Sequence, residues 1–590
     1  VSAYGSREKG TMLRTAFGVR NFLSIRSGRG ERLRLGCTAV ALVGALSVGA
    51  TWGGLPAAAA TGDWTTYGAT NGRSDFNAAE TAITPNTASQ LHLAWTTAAQ
   101  NVTPNLVFSQ PVVANGLIYW ASMDGYERAT NTSGGLVWQT YTGVTSDSNT
   151  GCDYTYGPSS TAAVVNGVVY VGGGDGELYA LDAATGAVLW LTRLGPSPNT
   201  FLWASPAVFN GSVYMGVSSF FGGLNNCPYV QGQLVQLNAT TGVVENTMNT
   251  VPDGCTGASV WASPTVDEAS GTVYFATGSP GTCSTAEPYS EAVIEVRASD
   301  LSLVGSWQVP PSQQISDSDF GATPTLFTST QQGVTQDMVG AVNKNGIYYA
   351  LQRDNLAAGP VWQDQIAVGG ANAAGGQGSI SPGAWDGTTL YVAGGRTTIN
   401  GVSCAGSVAA LNPADGAILW QDCLPDGTVL DALAAAPGIV AVPEGNHLLV
   451  VSATSGQTLF SYTTSSGLPI WGAPSIANGV LYVGDNGGQL LAFALNPVTN
   501  VLIPSNGATL TGSQYLDAGA SGNVTKVEFH LTGGTLNNAL IATATPTYYG
   551  WLTGWNTTTV ANGTYTLQSV AYYASGASGT STGTTITVNN

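Results

Sequence analysis

Histidine is almost missing from this 590-residue chain: His92, His447 and His530 are the whole complement. Three scattered imidazoles exclude a His-rich zinc or copper centre. No Cys-x-x-Cys-His occurs, so covalently attached c-type haem is excluded. A Gly-Lys-Ser/Thr phosphate loop and a His-Glu-x-x-His helix are absent too. Charged residues make up only 8%, which argues against coiled coils and charge-driven disorder. The 78 glycines lack the one-in-three period of collagen.

What is present is apolar and aromatic: 43% hydrophobic residues, with 15 Trp and 24 Tyr. Combined with so much glycine, this predicts many short strands joined by tight turns. Charge is unevenly spread. Eight of the 16 basic residues precede position 61 beside only Glu8 and Glu31; the other eight face 32 acidic residues, a net of −24. A body so acidic is repelled by phosphate backbones, so nucleic acid and anionic membranes are poor partners. The basic stretch runs into GCTAVALVGALSVGATWGGLPAAAA (36–60), an apolar segment ending in small residues. Residues 1–60 therefore read as a signal peptide region with cleavage near Ala58–Ala60. The strictly apolar run is shorter than the roughly 20 residues a span needs. The expectation is a secreted, extracytoplasmic protein with no membrane span in its mature form.

Internal repetition decides the fold. LDAATGAVLW (181–190) recurs as LNPADGAILW (411–420), and more loosely at 237–246 and 452–461. Each copy joins an apolar strand, an Asp/Asn-to-Gly turn and a second strand ending in an aromatic, which is a hairpin. A further hairpin precedes most copies, giving four strands per repeat, one propeller blade. Residues closing the fourth strands are Trp95, Trp138, Trp190, Asn246, Trp307, Trp362, Trp420 and Phe460. That is eight blades. The last lacks a fourth strand, and LHLAWTTA (91–98) is the spare one that closes the ring and hides its edges. The fold class is all-β, an eight-bladed propeller over 63–495. After a linker at 496–503, residues 504–590 hold about seven strands and read as an immunoglobulin-like sandwich, with Phe529, Trp551, Trp555 and Tyr565 as its core and rim aromatics.

The blade motif Asp182-x-x-Thr185-Gly186-x-x-x-Trp190 resembles the tryptophan-docking motif of pyrroloquinoline quinone (PQQ) type propellers. These include quinoprotein alcohol dehydrogenases, polyvinyl-alcohol-dehydrogenase-like members and non-catalytic scaffolds. The C-terminal region resembles bacterial Ig-like modules. The resemblance implies two readings. One is a secreted oxidoreductase that oxidises an alcohol, sugar or polyol with PQQ. The other is a non-catalytic propeller that binds an extracellular protein or glycan.

A quinone dehydrogenase needs an aromatic floor, a cation that polarises the quinone carbonyl, and a carboxylate base. By resemblance, GASVWASPTVD (257–267) supplies the floor, Trp261, with Ser259 as a nearby hydrogen-bond donor. NKNGIYYAL (343–351) supplies Lys344 for the quinone oxygens. SEAVIEV (290–296) supplies Glu291 as catalytic base, one methylene longer than the family's Asp. Asp317 and Asp319 in SDSDFGATP join Glu291 as the expected metal ligands, the metal being calcium. Other matched positions depart from the family. Phe220 and Phe221 stand where relatives carry a metal-binding Glu, Ser279 stands for Asn or Asp, and the adjacent-cysteine pair is absent.

Apart from Cys37 in the leader, six cysteines remain, an even number that suits an oxidising compartment. Cys404 and Cys423 lie symmetrically about the turn of LNPADG and are expected to bridge two facing strands. Pairing of Cys152, Cys227, Cys255 and Cys283 stays open, with Cys227–Cys255 among the options.

Overall fold

The computed structural model describes residues 62–100, 104–147, 152–220, 227–282, 287–331, 333–521, 524–573 and 578–590. The expected signal peptide lies outside the described residues. Blades 1 to 7 occupy residues 112–141, 163–193, 207–249, 265–308, 325–365, 384–424 and 434–463. Blade 8 takes three strands from 475–494 and its fourth from His92–Ala98, which pairs antiparallel with Gln489–Ala494. The ring is closed by joining both ends of the propeller sequence, as the repeat count requires.

Geometry explains the repeated turn. Asp182 Oδ1 accepts from the Thr185 amide (2.8 Å) and Thr185 Oγ1 (2.7 Å), while Gly186 takes φ +71°. The indole of Trp138 from blade 1 lies against that glycine: a Cβ there would come within 2.5 Å of Trp138 Cε3. Trp138 Nε1 donates to Ala183 O at 2.9 Å. Five blades thus dock a Trp on the turn of the next, with Trp95, Trp190, Trp362 and Trp420 repeating the bond at 2.9–3.0 Å. Asn246 breaks the pattern. Its amide donates to Gln236 Oε1 (2.8 Å), and Gln236 Nε2 reaches Ala298 O (3.0 Å), so a relay of two amides does the work of one indole.

A second cyclic device holds the innermost strands. The amides of Gln110, Thr161, Ser205 and Ser263 donate in turn to Thr161 Oγ1, Ser205 Oγ, Ser263 Oγ and Thr323 Oγ1, all within 2.8–3.0 Å. Residues 62–80 add a belt round the channel. The carbonyls of Thr65, Asn71, Gly72, Ser74 and Asp75 accept from Val164, Val266, Leu326, Trp385 and Ala435, on the inner strands of blades 2, 4, 5, 6 and 7. Backbone donors on those strands are thereby satisfied where water is excluded. Arg73 is fully buried in the belt and donates to the carbonyls of Pro264 (2.8 Å) and Pro206 (3.2 Å). Burial lowers its pKa to about 10, which leaves it charged at neutral pH.

Cys404 and Cys423 are disulfide-bonded, with Cα atoms 5.3 Å apart, but they are not facing residues of one hairpin. Cys423 is opposite Ser407, and Cys404 ends a separate short strand, Val402–Cys404, paired with Thr397–Ile399. Leu411 pairs with Ile418, already two residues off the symmetric register, and a bulge at Ala410/Leu411 adds a third. Cys227 and Cys255 are each one half of a disulfide; Cys283 and the Cys152 side chain lie outside the described residues.

The C-terminal domain has nine strands among the described residues. The expected linker is corrected: Thr499–Ile503 is itself a strand, antiparallel to Ser513–Ala520. Strand Leu536–Thr547 belongs to both layers, pairing first with Val524–Gly533 and then, through Thr545–Thr547, with Gly550–Asn556. Phe529, Trp555 and Tyr565 are in its core, and Trp551 packs at the margin.

Candidate functional site

Eight residues, one from the entry of each blade, ring the channel: Phe108, Ser159, Trp203, Trp261, Gly321, Ile380, Leu430 and Trp471. They enclose a cavity of about 210 Å³. Trp261 projects where the next blade offers Gly321, at which a Cβ would be 2.2 Å from Trp261 Cη2 and 2.6 Å from Ile380 Cγ2. Nothing larger than glycine leaves room for the indole. Gly321→Ala is expected to displace Trp261, shifting its fluorescence and costing about 1–3 kcal/mol in urea unfolding. Unchanged emission and midpoint would refute this placement. Trp203 was legible but overlooked, because LWASPAV (202–208) repeats VWASPTV (260–266) one blade earlier.

Blades 4 and 5 bring the polar residues together beside that indole. Lys344, between the second and third strands of blade 5, holds its Nζ 3.0 Å from Asp317 Oδ2, 3.3 Å from Asp319 Oδ2 and 5.1 Å from the Trp261 ring centre. Its amide donates to Asp319 O at 2.9 Å, so chain and side chain fix one pair. Burial alone would lower the Lys344 pKa, but Asp319 and Asp317 outweigh it and the net shift is upward. Asp317 is raised by burial and then by Asp319, against the pull of Lys344. Ser279 donates from its backbone to Asp319 Oδ1 and from Oγ to Asp317 Oδ1 (3.4 Å).

Glu291 sits at the head of the third strand of blade 4, at φ +49°, a left-handed conformation uncommon for a non-glycine residue. Its amide donates to Gly278 O (2.9 Å), and the Gly278 amide donates to Ser259 O (2.8 Å). The side chain is nearly buried. Burial, then the charge of Asp319, pushes its carboxyl up to about 7, while hydrogen bonds from Ser279 and the Ser318 backbone pull the other way. A carboxyl near 7 is matched to accepting a proton at neutral pH. Tyr229 of blade 3 also senses Asp319 and Asp317; burial and those charges raise its pKa. Sequence reasoning missed it, since CPYV carries no motif.

Two expectations change here. Ser259 Oγ is taken up by Ser219, accepting from its amide (3.1 Å) and sharing a hydrogen bond with its hydroxyl (3.2 Å), so it ties blade 3 to blade 4. Asp317 and Asp319, expected as metal ligands with Glu291, are the ion-pair partners of Lys344. Phe220 is 2% exposed and packs on Phe201, Trp203 and Tyr156, so it belongs to an aromatic core. Phe221 lies outside the described residues. Among the described residues no group of three or more His, Cys, Asp or Glu is arranged to hold a metal ion. Calcium prefers several hard, anionic oxygens. With an ammonium already between the two aspartates, the donor set does not fit it. A flat quinone fits better: Trp261 lines the cavity, its buried Nε1 has no partner among the described residues, and Lys344 Nζ lies 5.1 Å from its ring centre.

A family model described as outer membrane protein assembly factor BamB matches residues 80–200, 124–319 and 354–499, and one described as a bacterial Ig domain matches 497–568. The chain belongs to the PQQ-type propeller family. Among curated relatives of this family, polyvinylalcohol dehydrogenase of Pseudomonas sp is 27% identical over 365 residues, 52% of this chain and 55% of that protein. The polyvinylalcohol dehydrogenase of Sphingopyxis sp. is 26% identical over 368 residues, with the same coverage. The chain spans about half the length of these relatives. The solved quinohemoprotein alcohol dehydrogenase from Comamonas testosteroni superposes with a TM-score of 0.58 at 20% identity, covering 77% of this chain and 83% of that one. At that identity the likeness is one of fold. No helix among the described residues is long and apolar enough to cross a membrane.

Proposed function

We propose that this PQQ-type propeller is a secreted oxidoreductase acting on an alcohol, sugar, polyol or hydroxylated polymer, with PQQ on Trp261. The observation that carries this reading is Lys344 beside the ring of the channel residue Trp261, with its partners Asp317 and Asp319 also acting on Glu291, whose carboxyl is raised to about 7. PQQ, when bound, supplies an electron-poor quinone that accepts hydride from an alcohol carbon. The chain's own residues do the rest. Trp261 supports the flat ring, Lys344 donates hydrogen bonds to its oxygens, and a Glu291 oxygen takes the hydroxyl proton. Asp317 and Asp319 hold Lys344 charged and in place. The cluster carries one ammonium and three carboxyls. A planar tricarboxylate is therefore accommodated best when Glu291 holds a proton, and its affinity is expected to rise as the pH falls through about 7. The basic-then-apolar leader and the disulfides support export to an oxidising compartment.

A second reading, a non-catalytic propeller binding an extracellular protein or glycan, is favoured by one feature: Phe220 in place of the family's metal ligand. Titration of the purified chain with PQQ, without added metal, separates the two. Saturable quenching of tryptophan fluorescence at micromolar PQQ is expected, weakened at least tenfold by Trp261→Ala and by Lys344→Ala. No binding at tens of micromolar would leave the non-catalytic reading.

A further inference from the structure

The channel chemistry leaves one conspicuous surface unused. Tyr548 and Tyr549 form the turn between strands Leu536–Thr547 and Gly550–Asn556 of the Ig-like domain. They are 96% and 79% exposed, with ring centres 5.4 Å apart and planes at 90°. Single exposed apolar residues are ordinary, but two adjacent rings so fully in water gain nothing for the fold. The turn that presents them is fixed. Thr547 Oγ1 accepts from the Tyr549 amide (3.2 Å) and donates to Gly550 O (2.8 Å), and Gly550 sits so close to Asp517 that a Cβ would come within 2.7 Å of Oδ1. Tyr515, 69% exposed, lies on the neighbouring strand opposite Gly554, whose surroundings are open.

Charge identifies the partner. Between Thr499 and Asn590 only Asp517, Lys526 and Glu528 are ionic in a sequence crowded with Thr, Ser and Asn. Asp517 is buried, and Lys526 and Glu528 pair with each other at 3.0 Å. Nothing at the tyrosines recognises a phosphate, an acidic peptide or a basic protein. Tyrosine rings offer flat apolar faces to C–H groups and hydroxyls to hydroxyls, which suits a neutral chain bearing alternating C–H and O–H groups.

We propose that the Tyr548–Tyr549 turn, with Tyr515, is a docking site for a neutral hydroxylated polymer. Binding itself is independent of the channel; any benefit to catalysis, by holding polymer at high local concentration, rests on the reading above. Affinity electrophoresis of the full chain in native gels tests it, with polyvinyl alcohol or hydroxyethylcellulose in the gel and anionic alginate as control. The two neutral polymers distinguish a synthetic from a polysaccharide source. Retardation is expected in at least one of them and not in alginate. It should fall at least fivefold in Tyr548→Ala/Tyr549→Ala, fall partly in Tyr515→Ser, and be unchanged in Glu291→Gln. Both tyrosine variants should melt like the parent protein, because the rings support nothing. No retardation in either neutral polymer, equal retardation of the double variant, or retardation in alginate alone would overturn the proposal. Self-association without polymer that the double variant abolishes would assign the surface to a second copy of the chain instead.

Discussion

Glu291→Gln should lower PQQ-dependent alcohol oxidation by a factor of 10² to 10⁴ while PQQ still binds. The amide preserves side-chain length and its contact with Ser279, yet it cannot accept a proton, and a positioned general base contributes about that factor. The pH dependence follows from the direction of the shift. A carboxyl raised from 4.5 to about 7 is protonated and inactive at pH 5, half-ionised near 7 and competent above 8. Parent kcat/KM should therefore rise through pH 7 and level off, and the variant's residual rate should lack that step. Dye-linked steady-state kinetics between pH 5 and 9 check both points. Parent-like turnover in the variant would remove Glu291 from the chemistry while leaving the PQQ-binding result to stand by itself.

Glu127→Met should stabilise the propeller, and by more at pH 8 than at pH 5. Glu127 is fully buried in the third strand of blade 1, and neither carboxyl oxygen has a hydrogen-bond partner among the described residues. It shares a strand face with Ala129, whose hydrophobic cluster packs blade 1 on blade 2 through Tyr119, Trp138, Val171 and Tyr179. Burial pushes its carboxyl up to about 8, with only Arg128 opposing. In the unfolded chain it titrates near 4.5. Between those values the folded state holds a proton that the unfolded state has lost, so stability falls with rising pH until about 8 and then levels. At 1.36 kcal/mol per unit the full span is about 4–5 kcal/mol. Methionine has a similar shape and no charge to desolvate. Comparing urea midpoints of parent and variant at pH 5 and pH 8 cancels every other titrating group. Parallel pH profiles would mean that Glu127 has water or a partner.

The same economy of charge explains why so much was legible in the chain. A repeat with a turn every 40 to 61 residues, a terminal Trp and almost no ionic side chains admits one way of burying its strands, so blade number and the borrowed closing strand follow from Trp95 to Phe460. Local chemistry is enough for that: the turn of blade 2 is satisfied by its own Asp, Thr and Gly and by the Trp of the neighbouring blade.

Other features depend on contacts between residues far apart in sequence. Residues 62–80 look like unpatterned lead-in, since a belt that bonds to the inner strands of successive blades needs backbone carbonyls and no particular side chains. Thr499–Ile503 looks like linker because its strand is defined by a partner across the sandwich. The Cys404–Cys423 pair is expected from a symmetric register, whereas the turn is displaced by two residues and a bulge adds a third; neither leaves a mark in composition. Beside the channel, motif resemblance points to Trp261, Lys344, Glu291, Asp317 and Asp319, while which of them pair is a matter of geometry. The sequence by itself determined an acidic, eight-bladed propeller with an Ig-like module, because hydrophobic period and turn residues act over a few positions. Only the tertiary structure decided that Lys344 lies between the two aspartates and that Glu291 titrates near neutrality, because ion pairing and desolvation depend on what other blades place within a few ångströms.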